Sequence, residues 1–219
     1  MEFAHLAEGY AASRLEGSLP SSAELSNEME QLRDRGDAAV VLLELGDVHG
    51  GSAADYAWMR RFPLPVICSF EGRLDGGSAR LALAADVRIC GEGAMLFLGR
   101  LDDVGRAFLT ALASGRKARL AEGEPALTSE RMLELGLVSE VAPSGQASKA
   151  AAKMADVMAS RGPIALELGK EAIWRGLGMH FEQALRFETD LTLLLQTTKD
   201  RAEGVAAFIE KRTPRFTGT

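Results

Sequence analysis

Two short loops of small residues are the parts of this 219-residue sequence best suited to chemistry. Asp75-Gly-Gly-Ser-Ala79 follows an apolar run and opens a stretch of small residues, and Gly50-Gly-Ser-Ala-Ala-Asp55 follows an earlier apolar run. Backbone amides at the start of a helix point outward, where the helix dipole favours negative charge. Two such loops on adjacent strands predict two amides aimed at one oxygen that becomes anionic during a reaction. The alternative interpretation is that each loop is a tight turn required by packing.

Several charged side chains near these loops are candidates for moving a proton or holding a substrate. Asp103, beside Asp102, would have a raised pKa in an apolar pocket and would suit proton abstraction from carbon. Two adjacent carboxylates close to Arg100 are equally typical of an exposed charge cluster. His49 is a candidate acid or base that has no visible partner. Arg80 is suited to hold a carboxylate bidentately, or else lies on the outer face of a helix.

Two further carboxylates, Glu71 and Asp75, flank the glycine loop that contains Gly76 and Gly77, and either is a candidate to reach the same site. No spacing of His, Cys and carboxylates suggests a closed metal site, so we expect no metal. Neither glycine loop matches a dinucleotide-binding fingerprint or a Walker A sequence.

The elements that must position these residues alternate between strand and helix, which predicts an α/β fold. A capping box at Ser21 to Glu24 predicts the start of a helix that Gly36 ends, and the weakly patterned stretch from Phe3 to Leu19 predicts one or two edge strands. Further strands are predicted at 38–45, 66–70, 87–90, 94–98 and 138–141. Further helices are predicted at 53–62, 79–85, 104–112, 129–135, 146–160, 163–174, 181–195 and 201–211.

Length and composition restrict the class of protein. The chain suits one domain with a helical appendage, which we divide into an α/β core at 1–142 and a helical assembly region at 143–219. The net charge of −6 does not indicate a nucleic-acid or membrane-surface partner. Cys68 and Cys90 lie inside apolar runs, as buried thiols in a reducing compartment do. Without a visible signal peptide or membrane span, we expect a cytoplasmic protein.

Four segments resemble the crotonase superfamily, the enoyl-CoA hydratase/isomerase family. They are Pro63 to Gly72, Asp75 to Cys90, Leu127 to Pro143 and Ala206 to Phe216. The resemblance implies a crotonase-like spiral of ββα units with a C-terminal α-helical region that assembles a trimer, or a hexamer made of two trimers. It also implies an acyl thioester substrate on CoA or on a carrier protein, with CoA part of the substrate and no separate cofactor.

The resemblance also implies roles for individual residues. The family's oxyanion hole falls on the amides of Gly77 and Ala54, which would share the charge of an enolate. Phe208 and Lys211 match positions that, in relatives, touch the adenine end of CoA from a neighbouring subunit. The alternative is that they are a packed aromatic and a solvated lysine.

The departures from the family pattern bear on the reaction. The two glutamates that hydratases use as acid and base are replaced by Arg80 and Arg100, which cannot exchange protons at neutral pH because the pKa of arginine exceeds about 12. Asp103 resembles an aspartate of dienoyl-CoA isomerases that moves a proton along the acyl chain, and Arg80 suits a malonyl-like or glutaconyl-like substrate. Isomerisation or decarboxylation is therefore favoured over two-glutamate hydration. The alternatives are a hydratase with a relocated carboxylate such as Asp103, and a catalytically silent acyl-CoA-binding homologue.

Overall fold

The computed structural model describes residues 3–6, 9–36, 38–49, 56–99 and 124–219; for residues 4–6 and 49 it describes the backbone alone. Within these ranges the strands in chain order are β1 (Ala4–Leu6), β2 (Tyr10–Ser18), β3 (Val40–His49), β4 (Val66–Phe70), β5 (Arg73–Leu74), β6 (Val87–Gly91), β7 (Met95–Leu96), β8 (Leu127–Thr128) and β9 (Glu140–Ala142). The α-helices are α1 (Ser22–Arg35), α2 (Gly76–Ala84), α3 (Ser129–Leu135), α4 (Ala147–Ala159), α5 (Pro163–Gly176), α6 (Phe181–Gln196) and α7 (Lys199–Glu210). A short 3-10 helix spans Ala57–Arg60.

The main sheet has the strand order β1-β2-β3-β4-β6-β9, and every pair in it is parallel except the antiparallel pair of β1 and β2. A smaller sheet has the order β5-β7-β8. The predicted α/β class is therefore confirmed. Because β3, β4 and β6 run parallel, their carboxyl ends lie at the same edge of the sheet, where ligands bind in open α/β sheets.

Each face of the main sheet is covered by helices. On the front face, side chains such as Leu43 and Cys68 are fully buried in one cluster with residues of α1, α2 and the smaller sheet. On the rear face, Leu42 and Ile67 pack with Ala151 of α4. The side chains of β3 alternate between the two faces, so the continuous apolar run at its start is what a strand buried on both sides requires.

Local sequence signals set several element boundaries as predicted. The hydroxyl of Ser21 accepts from the amide of Glu24 (3.2 Å), the Glu24 carboxylate accepts from the amide of Ser21 (2.8 Å), and Gly36 ends α1 with a φ of +70°. The strand at Val66–Phe70 and the helix at Ser129–Leu135 have the predicted bounds. The helix predicted at 104–112 lies outside the described residues.

Two predicted helices differ from the structure, and the N-terminal expectation holds for one strand. Of the one or two edge strands expected at 3–19, β1 lies at the edge, whereas β2 is interior because it pairs with β3 along most of its length. In the described part of the segment 53–62, the structure has only the 3-10 turn at Ala57–Arg60. The helix predicted at 79–85 begins earlier, at Gly76, which matters for the site.

A buried ion pair attaches the C-terminal helices to the sheet. The ammonium of Lys170 in α5 lies 2.7 Å from the Asp86 carboxylate and donates to the carbonyl of Leu64 (2.9 Å). The same carboxylate accepts from the amide of Val66 (2.8 Å) and from the indole of Trp174 (2.5 Å). Asp86 thus joins α5 to the first residue of β4. Among the residues that the structure describes, no helix combines the length and apolar character needed to cross a bilayer.

Candidate active site

The candidate site lies on the segment that leaves β4 at the carboxyl edge of the main sheet. This segment turns at Gly72, whose φ is +60°, and then joins the smaller sheet. The carbonyl of Gly72 accepts from the amide of Met95 (2.7 Å), and the carbonyl of Leu74 accepts from the amide of Phe97 (2.8 Å). These two bonds, to β7 and to the residue that follows it, fix the chain immediately before α2.

The first turn of α2 contains the predicted oxyanion amide. Asp75 is the N-cap, and its amide and carbonyl both bond to the Ser78 hydroxyl (3.1 and 2.8 Å). Gly76 has a φ of +48°, a conformation that favours glycine. Gly77 follows and is buried. Because the amides in the first turn of a helix have no carbonyl partner four residues earlier, the start of α2 at Gly76 leaves the Gly77 amide suited to donate a hydrogen bond to an external oxygen.

Arg80 lies one helical turn after the Gly77 amide. It is partly buried, whereas its neighbours Ala79 and Leu81 are buried in the front cluster. Residues three and four apart share a face of a helix, so Arg80 occupies the face that also carries Gly76 and Gly77. One helical turn after the candidate oxyanion amide, α2 therefore carries an arginine and not a carboxylic acid.

The two carboxylates that flank the glycine loop, Asp75 and Glu71, bond to different partners. The Asp75 carboxylate is half exposed and pairs with Arg73 (Nε to Oδ2, 2.9 Å), whose guanidinium carbon lies 3.9 Å from the centre of the Phe97 ring. Glu71 instead accepts from the amide of Ala147, at the start of α4, with its Oε1 (2.9 Å). Since α4 packs on the rear face and α2 on the front face, Glu71 is directed away from the Gly77 amide.

A cavity of about 510 Å³ lies beside Glu71 at the same edge of the sheet. Its lining combines side chains of both charges with residues of β2, β3, the end of β4 and the start of α4: Arg14, Glu44, Leu45, Gly46, Asp47, Phe70, Glu71, Gly72, Arg73, Gly145 and Ser148. In the described part of the chain no three His, Cys, Asp or Glu side chains are grouped as a metal ion would require.

Both cysteines are buried, as expected. Burial raises the pKa of Cys68 to about 12. Burial, followed by the negative charges of Glu71 and Glu130, raises the pKa of Cys90 to about 11. Neither thiol is a nucleophile at neutral pH, because the thiolate is the reactive form.

The remaining candidate residues fall in three places. Asp103 and Ala54 lie outside the described residues, so their roles stay predictions. His49 is the last residue of β3. Phe208 lies on α7 with 85% of its surface exposed, and Lys211 follows the helix with a φ of +55°. The structure thus brings Gly77 and Arg80 together on α2, and places Phe208 and Lys211 together at the end of α7.

The contact between Glu71 and Ala147 is a feature that the sequence did not predict. The two residues are 76 positions apart, and no local pattern connects them. The sequence signal is that a glutamine precedes α4 and that its first turn holds no acidic residue; in the structure Gln146 makes no side-chain capping bond. A helix start without its own cap indicates that a partner from elsewhere satisfies the free amides.

Comparisons with known proteins find relatives of this sequence. A sequence profile described as "Enoyl-CoA hydratase/isomerase" matches residues 46–219. The 2,3-dehydroadipyl-CoA hydratase of Escherichia coli is 31% identical over 170 residues, which are 74% of this chain and 67% of that protein. The trans-2-decenoyl-[acyl-carrier-protein] isomerase of Streptococcus mutans is 31% identical over 167 residues, 73% of this chain and 64% of that protein.

Solved structures show the same fold. The crystal structure of a probable enoyl-CoA hydratase/isomerase from Mycobacterium abscessus superposes with a TM-score of 0.85 at 26% identity, over 100% of this chain and 98% of that one. The fold is therefore crotonase-like, as the resemblance implied. The chain spans 53–67% of the length of eight curated relatives, including the two named above.

Proposed function

The chain belongs to the enoyl-CoA hydratase/isomerase family, and we propose that it converts an acyl thioester, carried on CoA or on an acyl carrier protein, through an enolate. The observation that carries this proposal is the first turn of α2, where the Gly77 amide has no partner within the helix. The thioester carbonyl oxygen accepts from this amide and from the amide of Ala54. As negative charge develops on that oxygen, each donor contributes about 2.7–4 kcal/mol to lowering the barrier.

The reaction that we favour is isomerisation or decarboxylation. Arg80 occupies the position on α2 from which related hydratases supply a glutamate, and arginine neither donates nor takes a proton at neutral pH. In isomerisation, Asp103 takes a proton from one carbon of the acyl chain and returns it to another. In decarboxylation, the bond to the leaving carboxylate breaks, CO₂ departs, and the electron pair enters the thioester enolate, whose α-carbon then takes a proton. Decarboxylation needs no carboxylate base.

The side chain of Arg80 also supports a class of substrate. A guanidinium one turn from the oxyanion amide suits an acyl chain that carries its own carboxylate, such as a malonyl-like or glutaconyl-like group. The name of the E. coli relative denotes an acyl chain of this dicarboxylic kind. The name of the S. mutans relative denotes a substrate on acyl carrier protein. We therefore propose either CoA or acyl carrier protein as the carrier of the substrate. His49, at the end of β3, is proposed as a further residue that contacts the substrate.

The C-terminal helices support assembly into a homotrimer or hexamer. They expose large apolar side chains, among them Ile173 (66% exposed), Phe181 (77%) and Phe208 (85%). Apolar surface of this extent on neighbouring helices marks an interaction site. In the assembled protein we place Phe208 and Lys211 against the adenine end of a CoA bound to the adjacent subunit.

The decisive experiment measures conversion of crotonyl, dienoyl and glutaconyl-type thioesters of CoA by mass spectrometry, together with Gly77→Pro and Gly77→Ala. Proline is tolerated in the first helical turn but has no amide proton, whereas alanine keeps it. We expect Gly77→Pro to lower kcat about 10²- to 10³-fold and Gly77→Ala to retain more activity. Equal activity of the two variants would refute the oxyanion role.

The same panel separates the alternatives. Loss of isomerisation in Asp103→Ala would identify the proton carrier. Hydration of crotonyl-CoA that depends on Asp103 would favour a hydratase with a relocated carboxylate. Thermal stabilisation by thioesters without any conversion would favour a silent acyl-CoA-binding homologue.

A further inference from the structure

We infer that Glu71 is a positioning residue: by capping α4 on the rear face of the sheet, its carboxylate fixes the turn that carries the Gly77 amide. This inference rests on the proposed function, because a positioned amide matters only if that amide holds the thioester oxygen. It assigns Glu71 a part in the site although its side chain points away from α2.

Glu71 supplies a cap that α4 lacks. Its Oε1 accepts from the amide of Ala147, the first residue of that helix (2.9 Å). The helix N-cap, Gln146, makes no capping bond of its own, and the first turn holds no acidic side chain. A carboxylate at a helix start both satisfies a free amide and interacts favourably with the helix dipole. Glu71 does both from a different element.

The main sheet provides a space that fits the Glu71 carboxylate. Gly91 ends β6, the strand adjacent to β4, and a Cβ placed on Gly91 would overlap the carboxylate of Glu71. The φ of Gly91 is not positive, so its backbone conformation does not require glycine. The absence of a side chain at Gly91 therefore serves to admit the Glu71 carboxylate.

A short segment of chain connects Glu71 to the oxyanion amide. Only five residues separate Glu71 from Gly77, and two of them, Gly72 and Gly76, have positive φ values of +60° and +48°. Bonds from Gly72 and Leu74 to β7 and to the residue that follows it hold this segment on the front side. Glu71 holds it on the rear side. Without the rear attachment, the segment can rotate about Gly72, where no Cβ restricts the backbone.

We expect loss of this attachment to act on the rate of reaction more than on binding. A misplacement of about 1 Å in a site can cost about 10²-fold in rate, and an interaction that matters only in the transition state changes kcat while KM stays nearly constant. Glu71→Ala should therefore lower kcat by about ten- to a hundredfold and increase hydrogen exchange in residues 72–80 and in the first turn of α4.

Two variants separate this role from a general effect on folding. Glu71→Gln keeps an oxygen that accepts from Ala147 and should retain most of kcat and of the exchange protection. Gly91→Ala leaves Glu71 unchanged but displaces its carboxylate, so it should reproduce the effects of Glu71→Ala. Glu92→Ala is the matched control, because Glu92 is an exposed carboxylate next to Gly91 and should behave as the wild type.

The test measures exchange by mass spectrometry, together with kcat and KM for whichever thioester the wild type converts. Unchanged exchange in residues 72–80 of both Glu71→Ala and Gly91→Ala would overturn the inference. A rise in KM without a fall in kcat would do the same. If the wild type converts no thioester and Gly77→Pro binds thioesters like the wild type, the proposed function fails. The exchange result then still decides whether Glu71 holds the turn.

Discussion

Replacement of Lys170 by methionine removes the buried cation that joins α5 to the start of β4. The ammonium and the Asp86 carboxylate are 2.7 Å apart, with only 5% and 15% of the two side chains exposed. Burial lowers the pKa of Lys170, and the charge of Asp86 opposes that shift. The pair is thus removed from water, where loss of one partner leaves an uncompensated buried charge.

Loss of one partner of a buried ion pair costs about 3–5 kcal/mol of stability. In Lys170→Met, the Asp86 carboxylate keeps two donors, the Val66 amide and the Trp174 indole, so we expect the lower end, about 3 kcal/mol. The methionine also leaves the carbonyl of Leu64 without its lysine donor. If the pair acts as a unit, Asp86→Asn combined with Lys170→Met should cost less than the sum of the single changes.

The assay is equilibrium unfolding in urea, followed by circular dichroism at several fixed protein concentrations, because assembly makes apparent stability depend on concentration. Lys149→Met, which replaces an exposed lysine on α4, is the matched control and should change stability by less than about 0.5 kcal/mol. A loss below about 1 kcal/mol in Lys170→Met would equal that of a surface pair and would refute the reasoning. Additive effects of the two changes would also refute it.

Two further predictions concern titrating groups. Burial raises the pKa of Cys68 to about 12 and that of Cys90 to about 11. We therefore expect a thiol reagent near neutral pH to label neither cysteine until urea unfolds the chain. Rapid labelling of the folded protein would contradict the burial of the two thiols. Hydrogen bonds from the Arg212 side chain and then from the Arg215 backbone lower the pKa of Glu203 to about 2. The pKa of a glutamate in the unfolded chain is about 4.3, which is higher than the folded value. The contribution of Glu203 to stability is therefore fully present above about pH 4.3 and is lost as the pH falls towards 2. We expect the wild type to lose its stability advantage over Glu203→Gln as the pH falls. The measurement is urea unfolding from about pH 6 to about pH 2. A difference that stays constant over this interval would contradict the hydrogen bonds to Glu203.

Local signals in the sequence determined much of the fold. A serine and a glutamate three residues apart predict the start of α1, and a glycine in the left-handed conformation ends it, because capping is an interaction between near neighbours. The apolar run at Val66–Phe70 predicts a strand with the observed bounds. The small residues at 79–85 predict a helix that carries Arg80, but its start was predicted three residues too late, so only the structure places Gly77 on the same helix. The positive φ of Gly76 and the bonds of β5 to β7 set the observed start.

Only the tertiary structure decided which distant residues meet. Glu71 looked like a candidate for the active site because it flanks the glycine loop, but the packing of α4 on the rear face commits it to Ala147. Asp86 and Trp174 are 88 positions apart, and nothing in either neighbourhood predicts their hydrogen bond. The interior place of β2 likewise depends on pairing with β3. Capping and hydrophobic periodicity depend on residues a few positions apart, so the sequence alone reveals them. Contacts between elements depend on how the sheet and helices pack, which no short stretch of sequence encodes.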